Sequence, residues 1–226
     1  LFDPTMILVW AGLILSLLAQ VKVKSTFAKY ERVRSMSGMT GAQAAERILH
    51  SAGIYDVSIA RVQGSLTDHY DPRSKTLRLS DSTYGSSSVA AVGVAAHECG
   101  HAIQHQQHYA PLGLRSALVP AANLGSTLAW PIFLVGLIAS LPFLTTAGIV
   151  LFSLAVLFQL ITLPVEINAS KRAVQMVESS GVLGSSESSG VKKVLTAAAL
   201  TYVASLAASI LQLLRLVILA GGRNRD

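Results

Sequence analysis

Cysteine is nearly absent from this sequence: Cys99 is the single one, so no disulfide can form within the chain. That usage fits a reducing compartment. Charge is also scarce. Asp, Glu, Lys and Arg make up 13% of the residues, about half the share of a soluble globular protein, so a fully solvated domain is a poor description. The net charge of +6 comes with no nucleic-acid motif and no basic stripe interleaved with aromatics, which excludes nucleic acid as the expected partner. No internal repeat is present. No positive residue precedes the first apolar block and no small-x-small site follows it, so an uncleaved anchor is expected rather than a signal peptide.

Apolar residues make up half of the chain and fall in blocks. The first, residues 5–20, is just long enough to span a bilayer. Lys22, Lys24, Lys29, Arg32 and Arg34 follow it directly, as on a cytoplasmic flank, which puts the N-terminus outside. Residues 117–140 and 143–163 are two further blocks with a turn at Leu141-Pro142, the pattern of a helical hairpin through the bilayer. Residues 194–220 form a fourth, weakened by Gln212 and Arg215, which reads as transmembrane or interfacial. Arg223 and Arg225 would then lie outside, against the charge rule. Arg115 and Arg215 are expected at membrane interfaces.

Between the first two blocks the sequence changes character. Residues 41–50 carry Ala, Ile and Leu at helical spacing. DVSIARV and KTLRLS alternate as short strands, and GSLTDHYDPRS between them is rich in turn formers and reads as a long loop. From Ser88 to His108 the period is helical again. The expected fold is α+β: a mainly helical integral membrane protein with about four transmembrane helices and a short β hairpin or small sheet.

The chemistry concentrates in VAAHECGHAIQH, which contains H-E-x-x-H. His97 and His101 fall about 40° apart on a helix and reach one ion together. Imidazole suits zinc, and a catalytic site takes three protein ligands with a fourth position for water. Glu98 lies beside the first histidine, placed to act as general base on that water. Another divalent transition ion remains an alternative. For the third ligand, His105 and His108 climb about 6 Å and 10 Å beyond His101, so they read as polar lining of the helix end, with a ligand role as the alternative. Glu166 is the stronger candidate: two spans separate it from His101, so the chain returns to the side it left. Glu178 and Glu187 also lie on that side, as solvated helix and loop residues.

The stretches LTDHYDPRSKTLRLS, VAAHECGHAIQH, FQLITLPVEINASKRA and KKVLTAAALTYVASL resemble the YugP-like family of neutral zinc membrane metallopeptidases across most of the chain. The resemblance implies a zincin-like fold with catalytic zinc, His97 and His101 as ligands and Glu98 as catalytic acid/base. More distantly the arrangement is similar to HtpX-type and CAAX-type prenyl-protein membrane peptidases, where a glutamate within E-x-x-x-D is the third ligand. Glu166 matches that glutamate, while Ser170 stands in place of the aspartate.

These readings divide the chain into a transmembrane anchor (1–24), a catalytic part (25–116), a transmembrane hairpin (117–163), a helix and loop carrying the third ligand (164–193) and a C-terminal helix (194–226). Cys99 points about 200° away from His97, as a packing residue. His69, Asn168, Arg172 and Tyr202 are candidate substrate or transition-state contacts, since oxyanion stabilisation needs donors beyond the metal. The strand before the zinc helix is expected to align substrate as an added strand. The expected activity is hydrolysis of peptide bonds in a peptide or protein, membrane-associated or not, at the cytoplasmic side of a bacterial inner membrane. Two rivals stand beside it: an intramembrane protease with zinc inside the bilayer, and a non-catalytic zinc-binding membrane scaffold or adaptor. Oligomeric state is not encoded in any readable pattern.

Overall fold

The computed structural model describes residues 3–222, so Arg223 and Arg225 lie outside the described residues. In chain order the elements are α1 (Met6–Glu31), α2 (Gly41–Ser51), β1 (Ser58–Val62), β2 (His69–Asp71), β3 (Thr76–Ser80), α3 (Asp81–Tyr84), α4 (Val89–Gln106), α5 (Ala110–Ile138), α6 (Pro142–Ser179) and α7 (Ser185–Gly222). The protein is mainly helical with one small sheet. Four helices, α1, α5, α6 and α7, are long and apolar enough to cross a membrane. The C-terminal apolar block is therefore part of one such helix, its Gln212 and Arg215 included.

Two compact units emerge, and four helices pass from one to the other. Among the described residues the first contains 3–20, 113–164 and 201–222. Small residues let its helices approach closely, as membrane helices do in the absence of a hydrophobic driving force. A Cβ on Gly125 would stand 2.4 Å from the Leu151 carbonyl oxygen, and one on Gly148 2.7 Å from the Phe133 Cβ. Phe133 is fully buried. Polar groups find each other in this unit: the Gln159 amide donates to Ser209 Oγ at 2.8 Å. Arg215 pairs with Asp3 at 2.9 Å and lies over the Trp130 ring.

The second unit, residues 21–112 and 165–200, carries the chemistry. Its core joins Ala44, Ala45, Ile48 and Leu49 of α2 to Leu77 and Leu79 of β3 and to the small residues of α4. Ala173 and Val177 of α6 and Val191 and Leu195 of α7 close it. Helix α2 starts on a full capping box, in which the Thr40 hydroxyl accepts from Gln43 N while the Gln43 side chain accepts from Thr40 N.

The sheet departs from expectation in three respects. The turn-rich linker contains β2, so there are three strands in the order β1-β3-β2. KTLRLS pairs in parallel with β1 and antiparallel with β2. The strand before α4 is therefore the central one, with both edges occupied, and cannot itself accept a substrate strand. β2 escapes notice because three residues between turn formers carry no period. Asp71 closes the β2–β3 turn by accepting from the Ser74 hydroxyl and the Arg73 amide, and these bonds hold its carboxyl well below the usual range. A further difference concerns α6. The apolar block and the polar helical segment after it form one continuous helix through Pro164.

Candidate metal centre

Helix α4 begins on Ser88, whose hydroxyl accepts from Ala91 N. Behind the cap comes a run of Ala, Gly and Val, nearly all buried, and the helix is sheltered on every side as an all-round apolar helix must be. His97, Glu98 and His101 therefore sit on an element held by packing. Gly100 is needed here: a Cβ would come within 2.6 Å of the Ala169 carbonyl oxygen, so α4 and α6 meet backbone to backbone.

That contact brings Glu166 of α6 to the histidines. Glu166 Oε2 lies 3.2 Å from His97 Nε2 and 3.5 Å from His101 Nε2. The two imidazole rings meet nearly at right angles, centroids 4.8 Å apart. One nitrogen from each histidine and one carboxylate oxygen lie within 4.8 Å of one another. Zinc bonds of about 2.05 Å in a tetrahedron put donors roughly 3.3 Å apart, so both carboxylate separations suit a zinc ion. Donor chemistry suits it as well. Glu166 is 2% exposed, and its carboxylate lies against both imidazoles. Burial alone would push the His101 imidazole down; its hydrogen bond to Glu166, with Glu98 nearby, outweighs this and raises it.

Each imidazole is also held from behind. His97 Nδ1 lies 3.1 Å from Ser170 Oγ, so the serine at the E-x-x-x-D aspartate position supplies a neutral hydroxyl where a carboxylate would stand. His101 Nδ1 lies 3.0 Å from Gln104 Oε1. The Gln104 amide donates in turn to the Val165 carbonyl and to Asn168 Oδ1, each at 2.9 Å. With both acceptors taken by the amide nitrogen, Gln104 Oε1 faces His101, and His101 donates through Nδ1 while Nε2 faces Glu166. Such contacts fix the tautomer and aim of a metal-binding histidine.

A family described as "Putative neutral zinc metallopeptidase" matches residues 5–221. This chain belongs to that family. It is also 51% identical, over 217 residues and 96% of both chains, to the "Putative membrane protease YugP" of Bacillus subtilis (strain 168). No solved structure matches it. Membership of a zinc peptidase family agrees with the donor set, and the relative's description as a membrane protease agrees with the four apolar helices.

The remaining candidates separate. Asn168 accepts from both Gln104 and Arg172 Nε, the latter at 2.7 Å, so it joins the network behind His101. Arg172 also donates to Gln107 Oε1 and lies over the Tyr109 ring, which ties it to the end of α4. His69 is exposed, with Nδ1 bonded to the Thr67 carbonyl. Strand alternation turns it to the face opposite Tyr70, which meets α4. Tyr202 is exposed on α7 in the other unit. Of the alternative ligands, His105 bonds the Tyr70 hydroxyl at 2.9 Å and His108 lies beyond the helix end. Glu178 accepts from Ser188, and Glu187 accepts from the Met36 and Gly184 amides, so both serve turns. Cys99 is buried against the Ala45 carbonyl, and burial pushes its thiol far up, which makes it inert. Sequence reasoning missed Gln104 and the Tyr70–His105 pair; a polar residue three positions after His101, on the histidine face, was the one available signal for Gln104.

Proposed function

We propose that this chain is a membrane-embedded zinc metallopeptidase that hydrolyses peptide bonds, with His97, His101 and Glu166 as ligands and Glu98 as general base. The observation that carries the reading is the convergence of three donors from two helices beside a carboxylate with no structural duty. Glu98 is 8% exposed, and no hydrogen bond from its side chain appears among the described residues. A scaffold that only held zinc would have no need of that carboxylate beside the donors.

Bound zinc would supply a Lewis acid that polarises the scissile carbonyl and lowers the pKa of a water to about 7. The rest falls to the chain. Glu98, one residue after His97 and a helical turn before His101, accepts the proton of the attacking water and returns it to the leaving amine. Gln104, Asn168 and Ser170 hold the imidazoles in the tautomer that binds metal. Tyr70, pushed up to about 12 chiefly by burial, keeps its hydroxyl proton beside His105. Since β3 is paired on both sides, an extended substrate would pair with the outer edge of β2, the strand that contacts α4. The basic residues after the first apolar stretch support a cytoplasmic face for this unit.

The test is Glu98→Gln in detergent-purified protein. It should keep about one zinc per chain by elemental analysis and lose roughly 10²- to 10⁴-fold in peptide hydrolysis against a matched detergent blank. Full hydrolysis by that variant removes Glu98 from the mechanism.

A further inference from the structure

Away from the metal centre, the second unit has an open groove of about 700 Å³ between α1 and the start of α7. Four lysines line it: Lys22 and Lys29 from α1, Lys192 and Lys193 from α7. No acidic residue does. Lys22, Lys192 and Lys193 have no ion pair among the described residues, and Lys29 lies 5.6 Å over the Tyr30 ring. Thr26, Ser189 and Thr196 add hydroxyl donors to the same walls, and Ala197 and Leu200 add apolar side chains. Four like charges facing one cavity repel each other, and no ion pair among the described residues offsets this.

Position says what the counter-charge is. On α1 the lysines begin where the apolar stretch ends; on α7 they stop where the apolar stretch begins. Both helices are long and apolar enough to cross a membrane. α1 and α7 run antiparallel here, so Lys29, Lys192 and Lys193 sit at the outer part of the groove and Lys22 lies level with Ala197 and Leu200. Ammonium groups with apolar side chains beside them fit an amphiphile with a negative head. Lysine ammonium groups bind phosphate oxygens as point charges, and basic residues beside a span attract anionic lipid.

We propose that this groove is a binding site for one anionic phospholipid, its phosphodiester held by Lys22, Lys29, Lys192 and Lys193 and the start of an acyl chain lying along Ala197 and Leu200. The recognised chemistry is a phosphoryl anion, which free phosphate shares. The apolar side chains of Ala197 and Leu200 beside Lys22 favour the lipid.

Native mass spectrometry of the full chain in detergent tests this, with phosphatidylglycerol, phosphatidylcholine and inorganic phosphate as probes. The double variant Lys22→Gln/Lys193→Gln alters the groove. Lys24→Gln/Arg32→Gln removes the same charge from α1 outside it. Wild type should retain one phosphatidylglycerol at least tenfold more strongly than phosphatidylcholine. The groove variant should lose at least tenfold, the control less than twofold, and inorganic phosphate should not displace the lipid. All four substituted residues are exposed, and the single variant Lys193→Gln serves if the double one unfolds. Equal loss in the control would reduce the effect to general surface charge and overturn the site. So would equal retention of phosphatidylcholine, or displacement of the lipid by inorganic phosphate.

Discussion

Replacing Gln104 by methionine keeps the volume of a fully buried side chain and removes its hydrogen bonds. His101 Nδ1 then loses its acceptor, while the Val165 carbonyl and Asn168 lose a donor. An unpaired buried imidazole N–H costs about 1–3 kcal/mol, and His101 can relieve it by rotating its ring or moving its proton to Nε2, the atom that must face the metal. Loss of such a backing contact weakens metal binding by about 10- to 100-fold, roughly 1.4 to 2.8 kcal/mol. Competition against a chromogenic chelator in detergent reads this directly, and thermal unfolding of the metal-free protein separates it from loss of fold. Gln104→Glu discriminates further: it can still accept from His101, but a carboxylate turns acceptors toward the Val165 and Asn168 oxygens. Its zinc affinity should fall between those of wild type and the methionine variant. A folded Gln104→Met that binds zinc within twofold of wild type would refute the assignment of Gln104 as the residue that orients His101.

Three shorter tests bear on the rest of the site. Glu166→Ala should lower zinc well below one per chain by elemental analysis, whereas zinc retained in full would move the third ligand to another residue. Gly100→Ala must push the Ala169 carbonyl away from its present line, so it should cost about 1–3 kcal/mol in thermal unfolding and loosen zinc with it; an unchanged melting temperature would show that α4 and α6 shift apart freely. With Cys99 buried, Ser74→Cys offers the one accessible thiol, and an impermeant maleimide should label it in lysed cells but not in intact ones; labelling from outside would reverse the proposed orientation.

What the sequence disclosed and what it hid follow one division. His97, Glu98 and His101 were legible because their relation is local: a helical period alone places them on one side. Glu166 was legible through topology, since two apolar blocks return the chain to the face it left. The apolar stretches disclosed four candidate spans on the same ground, by length and composition. Gln104 was hidden because its duty is set by the register of α6 against α4, and nothing within α4 states which residues will face it. The parallel pairing of β1 with β3 was hidden for a like reason, as was β2, whose three residues gain strand character from the neighbour they pair with. His69 drew attention by residue type; alternation along β2 gave the α4-facing position to Tyr70 instead.

Ser170 shows how the two kinds of information combine. Where the E-x-x-x-D motif has a carboxylate, this chain places a hydroxyl 3.1 Å from His97 Nδ1, and behind His101 it places an amide. Both histidine supports are thus neutral. With a dication bound, Glu166 and Glu98 already bring the centre's formal charge to zero. A third carboxylate at position 170 would leave one uncompensated negative charge in a site whose ligands are largely buried, and burying such a charge costs several kcal/mol. The serine keeps the orienting hydrogen bond without that charge. The departure from the motif is therefore compatible with the metal reading.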